Sequence, residues 1–283
     1  MKLRQHFGLQ LILAMTCTVF GPLALHAAES YPTRPVRMVV PYAPGGNTDV
    51  LARLIAQRLT QNLGQQVVVD NRPGGNTLIG TELVARAPAD GHTIMLTTLT
   101  FTVVPSLYRK LPFDAVKDFT PITLAVTLPN VLVTHPAIPA RSLKELINYA
   151  KANPGKLSYA STGSGTSPHL SMDITSGKLR ALAVTSGKRA AAAPTIPTVG
   201  ETLPGYEMDP WFGVLGPAGM TPAVVKRLHG EIARILLAPE MKDHLNSLGA
   251  EPAATTPNQF AAHIKAETAR YSQIIKAAGI KVE

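Results

Sequence analysis

Over residues 37–139, short aliphatic or β-branched runs alternate with segments whose apolar positions recur every three or four residues. That alternation is the mark of strands feeding helices in a βαβ sheet. Strands are predicted at 36–40, 66–69, 93–97 and 130–134. Between them, 49–63 sets Val50, Leu51, Leu54, Ile55 and Leu59 on one helical face, and 79–86 reads as a second helix. Residues 113–119 form a polar turn, and 121–136 is long enough to leave one sheet and enter another. Ser142 with Glu145 predicts a capped helix over 142–152, stopped by Asn153-Pro154-Gly155. A strand at 157–160, a hydroxyl and glycine loop at 161–167, a short helix through Met172 and a buried strand at 179–185 follow. The proline-punctuated loop 194–210 then leads to a strand at 211–216 and to amphipathic helices at 222–237, 240–248 and 257–277. No internal repeat is visible. The expectation is an α/β protein of two lobes, 29–120 with 217–283 and 121–216, joined by crossings near 121–134 and 208–216.

The first residues change the picture of where the chain works. Lys2 and Arg4 precede a mostly apolar run over 9–25, and Ala27 and Ala28 supply small residues for cleavage. Residues 1–28 therefore read as a signal peptide, which predicts a periplasmic protein. Cys17, the only cysteine, lies in that leader, so no disulfide framework is expected. Without Lys2 and Arg4, 25 basic side chains face 18 acidic ones, and the formal charge falls from +9 to +7. Such a surface attracts anions. The basic residues are scattered singly and only one Trp is present, which argues against nucleic acid.

Three loops carry the candidate chemistry, each where a strand feeds a helix, the usual position of ligands in open α/β sheets. The first, 41–49, contains Tyr42, Pro44, Gly45, Gly46, Thr48 and Asp49; the second, 71–77, contains Asn71, Arg72, Gly74 and Gly75. Glycines let backbone amides approach a ligand, and a following helix N-terminus offers unpaired N–H groups to an anion. The third, 161–167, is rich in Ser, Thr and Gly, and Thr97, Thr98 and Thr100 add hydroxyls at the end of a strand. Facing loops of this kind make a cleft of neutral donors suited to a small oxyanion. The alternative for each loop is a turn that satisfies its own backbone. For Arg72 the alternatives are an ion pair with a ligand or a solvated side chain.

Enzyme signatures are sparse. His169 lies near Ser161, Ser164 and Ser167, but there is no Gly-x-Ser-x-Gly elbow and no indicated acidic partner. His92, His135, His229, His244 and His263 stand apart from any second ligand residue. The expectation is no catalysis, no metal and no cofactor.

The phrases VVPYAPGGNTDVLAR, VVDNRPGGNTLIG, ARAPADGHTIML, PSLYRKLPFDAVKDFTPI, NPGKLSYASTGSGTSPHL, GKLRALAVTSGKR, PTVGETLPGYE and WFGVLGPAG stand in this order through nearly all of the chain after the leader. In this they resemble the Bug family of TctC-like solute receptors, which serve tripartite tricarboxylate transporters. The resemblance implies a two-lobed periplasmic binding protein of type II, a small carboxylate ligand, and membrane transporter subunits or a periplasmic sensor as partners. It implies a site built from Tyr42, Pro44, Gly45, Gly46, Thr48, Asp49, Asn71, Gly74, Gly75, Thr97 and Thr98, faced by Ser161, Gly163, Ser164, Gly165, Thr166 and His169.

Departures from the family accompany the matches. Asn76 and Thr77 stand where the family has a longer glycine run, and Phe101 and Val104 where it tends to have His and Asn. Between Met172 and Ile174, roughly forty to fifty residues of the family pattern are missing, more than one βαβ unit of about thirty. A reduced second lobe is expected. A receptor remnant with weak or no ligand binding is the alternative reading.

Overall fold

The computed structural model describes residues 31–158 and 177–280. Its larger sheet holds β1 (Val36–Val40), β2 (Val67–Asn71), β3 (Thr93–Thr98), β4 (Phe119–Thr127), β7 (Trp211–Pro217) and β8 (Glu251–Pro252), in the order β2-β1-β3-β7-β4-β8. The first three strands are parallel, and β7 runs antiparallel to both β3 and β4. The C-terminal ends of β1 to β4 and the start of β7 therefore share one edge.

Layering follows from strand alternation. Met38, Val40, Leu96 and Val214 face α1 (Asn47–Leu63), α6 (Pro222–Leu237) and α7 (Pro239–Ser247), where Ile55, Ile232 and Leu245 complete one core. Val39, Met95, Trp211 and Leu215 face α2 (Leu78–Ala85), α3 (Thr100–Val103) and α8 (Pro257–Ala277), where Phe101 and Phe260 complete the other. Gly213 is required here, because a Cβ at that position would lie 2.2 Å from Phe260 Cζ. Local chemistry starts these helices where the sequence places them. Thr221 accepts from the Val224 N–H ahead of Pro222, and Thr256 forms a reciprocal capping box with Gln259 ahead of Pro257.

The smaller sheet pairs β5 (Val131–Thr134) with β6 (Arg180–Val184), antiparallel. Against it lie α4 (Leu143–Ala152), capped by Ser142 as expected, and the single turn α5 (Val199–Thr202). Arg189 holds Glu201 through two hydrogen bonds of 2.8 and 2.7 Å, and that contact keeps the Glu201 carboxyl down at about 2. The chain leaves the larger sheet after Thr127 and re-enters it at Trp211. The two connectors are tied to each other by the Leu128 N–H to the Pro210 carbonyl (2.8 Å), and the second is tied to the end of β6 by the Met208 N–H to the Thr185 carbonyl (2.9 Å).

Several expectations shift. The larger sheet takes in residues 121–127 and 211–216, on the far side of the boundary drawn from the sequence. Residues 119–127 form a strand although Pro121 interrupts them, and the ladder slips between Pro121 and Thr123. The first helix begins two residues earlier than predicted, at Asn47. Leu157 and Ser158 carry no strand, and the rest of the 157–160 prediction lies outside the described residues, as do the leader, the 161–167 loop and His169.

Candidate ligand-binding edge

Register brings the first two loops together. Val40 at the end of β1 pairs with Asn71 at the end of β2, so the chain leaves both strands side by side. Asn71 Nδ2 donates to the Tyr42 carbonyl at 3.2 Å, and the Tyr42 hydroxyl lies 2.8 Å from Thr98 Oγ1 at the end of β3. Thr98 Oγ1 is in turn 3.3 Å from Thr100 Oγ1. Tyr42, Asn71 and Thr98 thus form one hydrogen-bonded chain across three strand ends. Thr97 goes the other way. Successive strand side chains alternate, so it is wholly buried on the opposite face, and its hydroxyl has no partner among the described residues.

Pro44, Gly45 and Gly46 are exposed above this edge. Gly46 caps α1 in an extended conformation with no side-chain hydrogen bond, which leaves first-turn amides pointing outward. Thr48 and Asp49 are buried beneath. The Asp49 carboxylate is already engaged. Its Oδ2 accepts from the Gly45 N–H at 2.9 Å and from Arg53 Nε at 3.0 Å, while Oδ1 lies 3.0 Å from Arg53 Nη2 without hydrogen-bond alignment. The Arg53 hydrogen bond, with the Gly45 amide assisting, holds this carboxyl below its ordinary value. Arg53 also reaches Asn71 Oδ1 at 3.2 Å. Asp49 therefore pins the turn. Arg53 is the residue that sequence reasoning missed, although its four-residue spacing from Asp49 on one helix was a readable signal.

The second loop is held in an unusual backbone shape. Gly74 and Gly75 have φ of 124° and 55°, and Asn76 and Thr77 follow at 53° and 79°. Glycine takes such angles freely, whereas a buried, β-branched Thr77 does not. The loop thus keeps a shape suited to glycine at two positions that carry other residues. Below it, a Cβ on Gly80 would stand 2.8 Å from both the Arg72 carbonyl and Pro41 Cβ, so α2 packs hard against both loops. Arg72 pairs with Asp70 (3.0 Å), which Arg37 also contacts. Burial alone would raise the Asp70 carboxyl, and the two guanidinium groups outweigh it. Phe101 and Val104 are buried, Phe101 edge-on to Phe119 with ring centres 5.0 Å apart, so they fill the core beneath the edge. Among the described residues no group of three or more His, Cys, Asp and Glu side chains forms a metal site.

The comparisons agree with this architecture. A UPF0065 protein in the tcbD-tcbE intergenic region of Pseudomonas sp. is 37% identical, with 87% of each chain covered. The periplasmic binding protein BugD superposes with a TM-score of 0.75 at 32% identity, covering 89% of this chain and 100% of BugD. Rpa4515 of R. palustris, solved with adipate, gives 0.77 at 32% identity with the same coverage. The alignment with the Pseudomonas protein runs over 292 positions, more than the 283 residues of this chain, while taking in only 87% of them. Stretches of that relative therefore have no counterpart here. The pattern of the tripartite tricarboxylate transporter family receptor, TctC, matches residues 51–176 and 173–280, two stretches that meet at the junction found in the sequence. The chain belongs to the TctC family of tripartite tricarboxylate transporter receptors.

Proposed function

We propose that this chain is a periplasmic receptor that binds a small carboxylate without converting it and delivers it to the membrane subunits of a tripartite tricarboxylate transporter. The carboxylate sits over the α1 N-terminus, against the Gly46 and Thr48 amides and beside Gly45, whose own N–H is held by Asp49, with Tyr42, Asn71, Gly74, Gly75 and Thr98 as the adjoining wall. The single observation that carries this reading is the convergence of three parallel strand ends, stitched through Tyr42, Asn71 and Thr98, beneath an uncapped helix N-terminus. The bound adipate of Rpa4515, a structural neighbour, supports the ligand class. The family resemblance assigns the facing wall to Ser161, Gly163, Ser164, Gly165, Thr166 and His169, which lie outside the described residues; on this reading the leader exports the protein and the crossings near 121–134 and 208–216 act as the hinge between lobes. A helix N-terminus contributes roughly 0.3–2 kcal/mol per charge, well short of the roughly 8 kcal/mol of micromolar binding, so the facing wall decides affinity.

Calorimetry of the protein without its leader, against a panel of mono- and dicarboxylates, tests the proposal. Saturable heat with at least one carboxylate is expected. The stretches of the Pseudomonas relative that have no counterpart here, and a second sheet of two strands among the described residues, favour a second reading, a receptor remnant with weak or no binding. Absence of saturable binding across the panel selects the remnant, and sub-micromolar affinity rejects it.

A further inference from the structure

A cavity of about 200 Å³ lies between α1, the end of β4, the start of β7 and the segment after α7. Its walls include Leu54 on α1, Leu128, Phe212, Leu245 and Ala250, and Asn47 is the one polar residue lining it. The cavity is partly open to solvent. An apolar cavity of about 150 Å³ stays dry and takes up benzene, so this one has room for a phenyl ring or a short alkyl chain. Its position is specific. Asn47 and Val50 belong to the first turn of α1, and Phe212 pairs with Thr98 in the ladder, so the cavity opens at the same sheet edge as the Tyr42 and Asn71 loops. Val50, 43% exposed, marks its mouth.

We infer that this cavity receives the apolar tail of a monocarboxylate whose head group rests on the first turn of α1. The inference rests on the carboxylate reading above and names the ligand class within it. Among the described residues no ionisable side chain lines the cavity. A second carboxylate at the far end of the ligand would lose its hydration there with nothing to pair with it, and a charge stranded in that way is strongly disfavoured. A methyl or phenyl terminus loses only unfavourable contact with water, which favours its burial. The walls therefore select against dicarboxylates, and each methylene that enters should improve affinity roughly fourfold until the space is full.

The test is calorimetry with butanoate, hexanoate and adipate, run beside a thermal-shift titration with toluene as a neutral probe of the cavity alone. Hexanoate should bind roughly tenfold or more tightly than butanoate and also better than adipate, which differs from it by the terminal carboxylate, and toluene should raise the melting temperature. Ala250→Leu fills the space and should erase the gain from butanoate to hexanoate together with the toluene shift. Leu248→Ala widens it and should move the optimum to a longer tail, so the idea stays testable if the filled variant folds poorly. Equal affinity for butanoate and hexanoate, or a preference for adipate that Ala250→Leu leaves untouched, overturns the inference and leaves the receptor intact. Toluene binding without any carboxylate binding overturns the receptor reading and the tail assignment with it. Failure of both probes overturns both.

Discussion

In the six-stranded sheet Trp211, Phe101 and Phe260 are enclosed between layers, whereas the two-stranded sheet gathers Leu143, Ala183 and Val199 into its buried cluster among the described residues. Both regions are α/β, and each has helices started by side-chain caps, Thr221 and Thr256 in the first and Ser142 and Thr198 in the second. The difference is depth. A sheet covered on two faces anchors its strand-end loops from below, while a two-stranded ribbon with one helix and one turn has little apolar surface to bury. The residues proposed to hold the carboxylate therefore stand on the strong half of the molecule, and whatever the chain has lost relative to its family falls on the weak half.

Core truncation gives the largest effect that could break this comparison. Phe260→Ala should cost about 3–5 kcal/mol in denaturant unfolding, because Phe260 lies on Gly213 and meets Trp211 edge-on with ring centres 5.4 Å apart. Leu143→Ala should cost about 2 kcal/mol, and its loss of hydrogen-exchange protection should stay within β5, β6 and α4. Equal costs, or loss of protection throughout both sheets after Leu143→Ala, would contradict the division.

Arg53→Ala should lower stability modestly at neutral pH, since the arginine is half exposed and its attraction to the buried Asp49 is partly screened by solvent. The pH dependence has a definite sign. Asp49 is held below its ordinary value of 3.8, so its contribution is complete above that value and disappears as pH falls through its own depressed one. Thermal unfolding from pH 7 to pH 2 should show the variant losing less stability in acid than the parent; parallel curves would count against the role given to Arg53. The smallest effect is a gain. Thr77→Gly releases a buried β-branched residue from φ of 79° and should raise stability by about 1 kcal/mol after the extra unfolded-state entropy of glycine is allowed for. A loss on this substitution would mean that the loop is held by the Thr77 side chain and not strained by it.

Much of the larger sheet was legible because its signals are local. Residues 36–40 form an unbroken apolar-rich run buried on both faces, and Ser142, Thr221-Pro222 and Thr256-Pro257 mark their helix starts. Pro121 hid β4, and the two residues of β8 are too few to leave a pattern. The expectation that the loops at the strand ends lie side by side holds for Tyr42, Asn71 and Thr98, because parallel register follows from connectivity. Side-chain direction was harder to read. Thr97 turns into the core by strand parity and Arg72 is taken by Asp70, and only the Asp49–Arg53 pair had a readable signal in its four-residue helical spacing. The cavity beside α1 was invisible for a related reason. Its residues read as an ordinary helix face, and only the fold shows that they line a common cavity.

The central claim is that the first turn of α1 receives the carboxylate. Nuclear magnetic resonance titration with a carboxylate that gives saturable heat, reading the backbone amides of Gly45, Gly46 and Thr48, tests it most directly. These three amides should shift together along one saturation curve, with the Asn71 and Gly74 amides following. Saturation that moves other amides and leaves those of 45–48 in place would contradict the account.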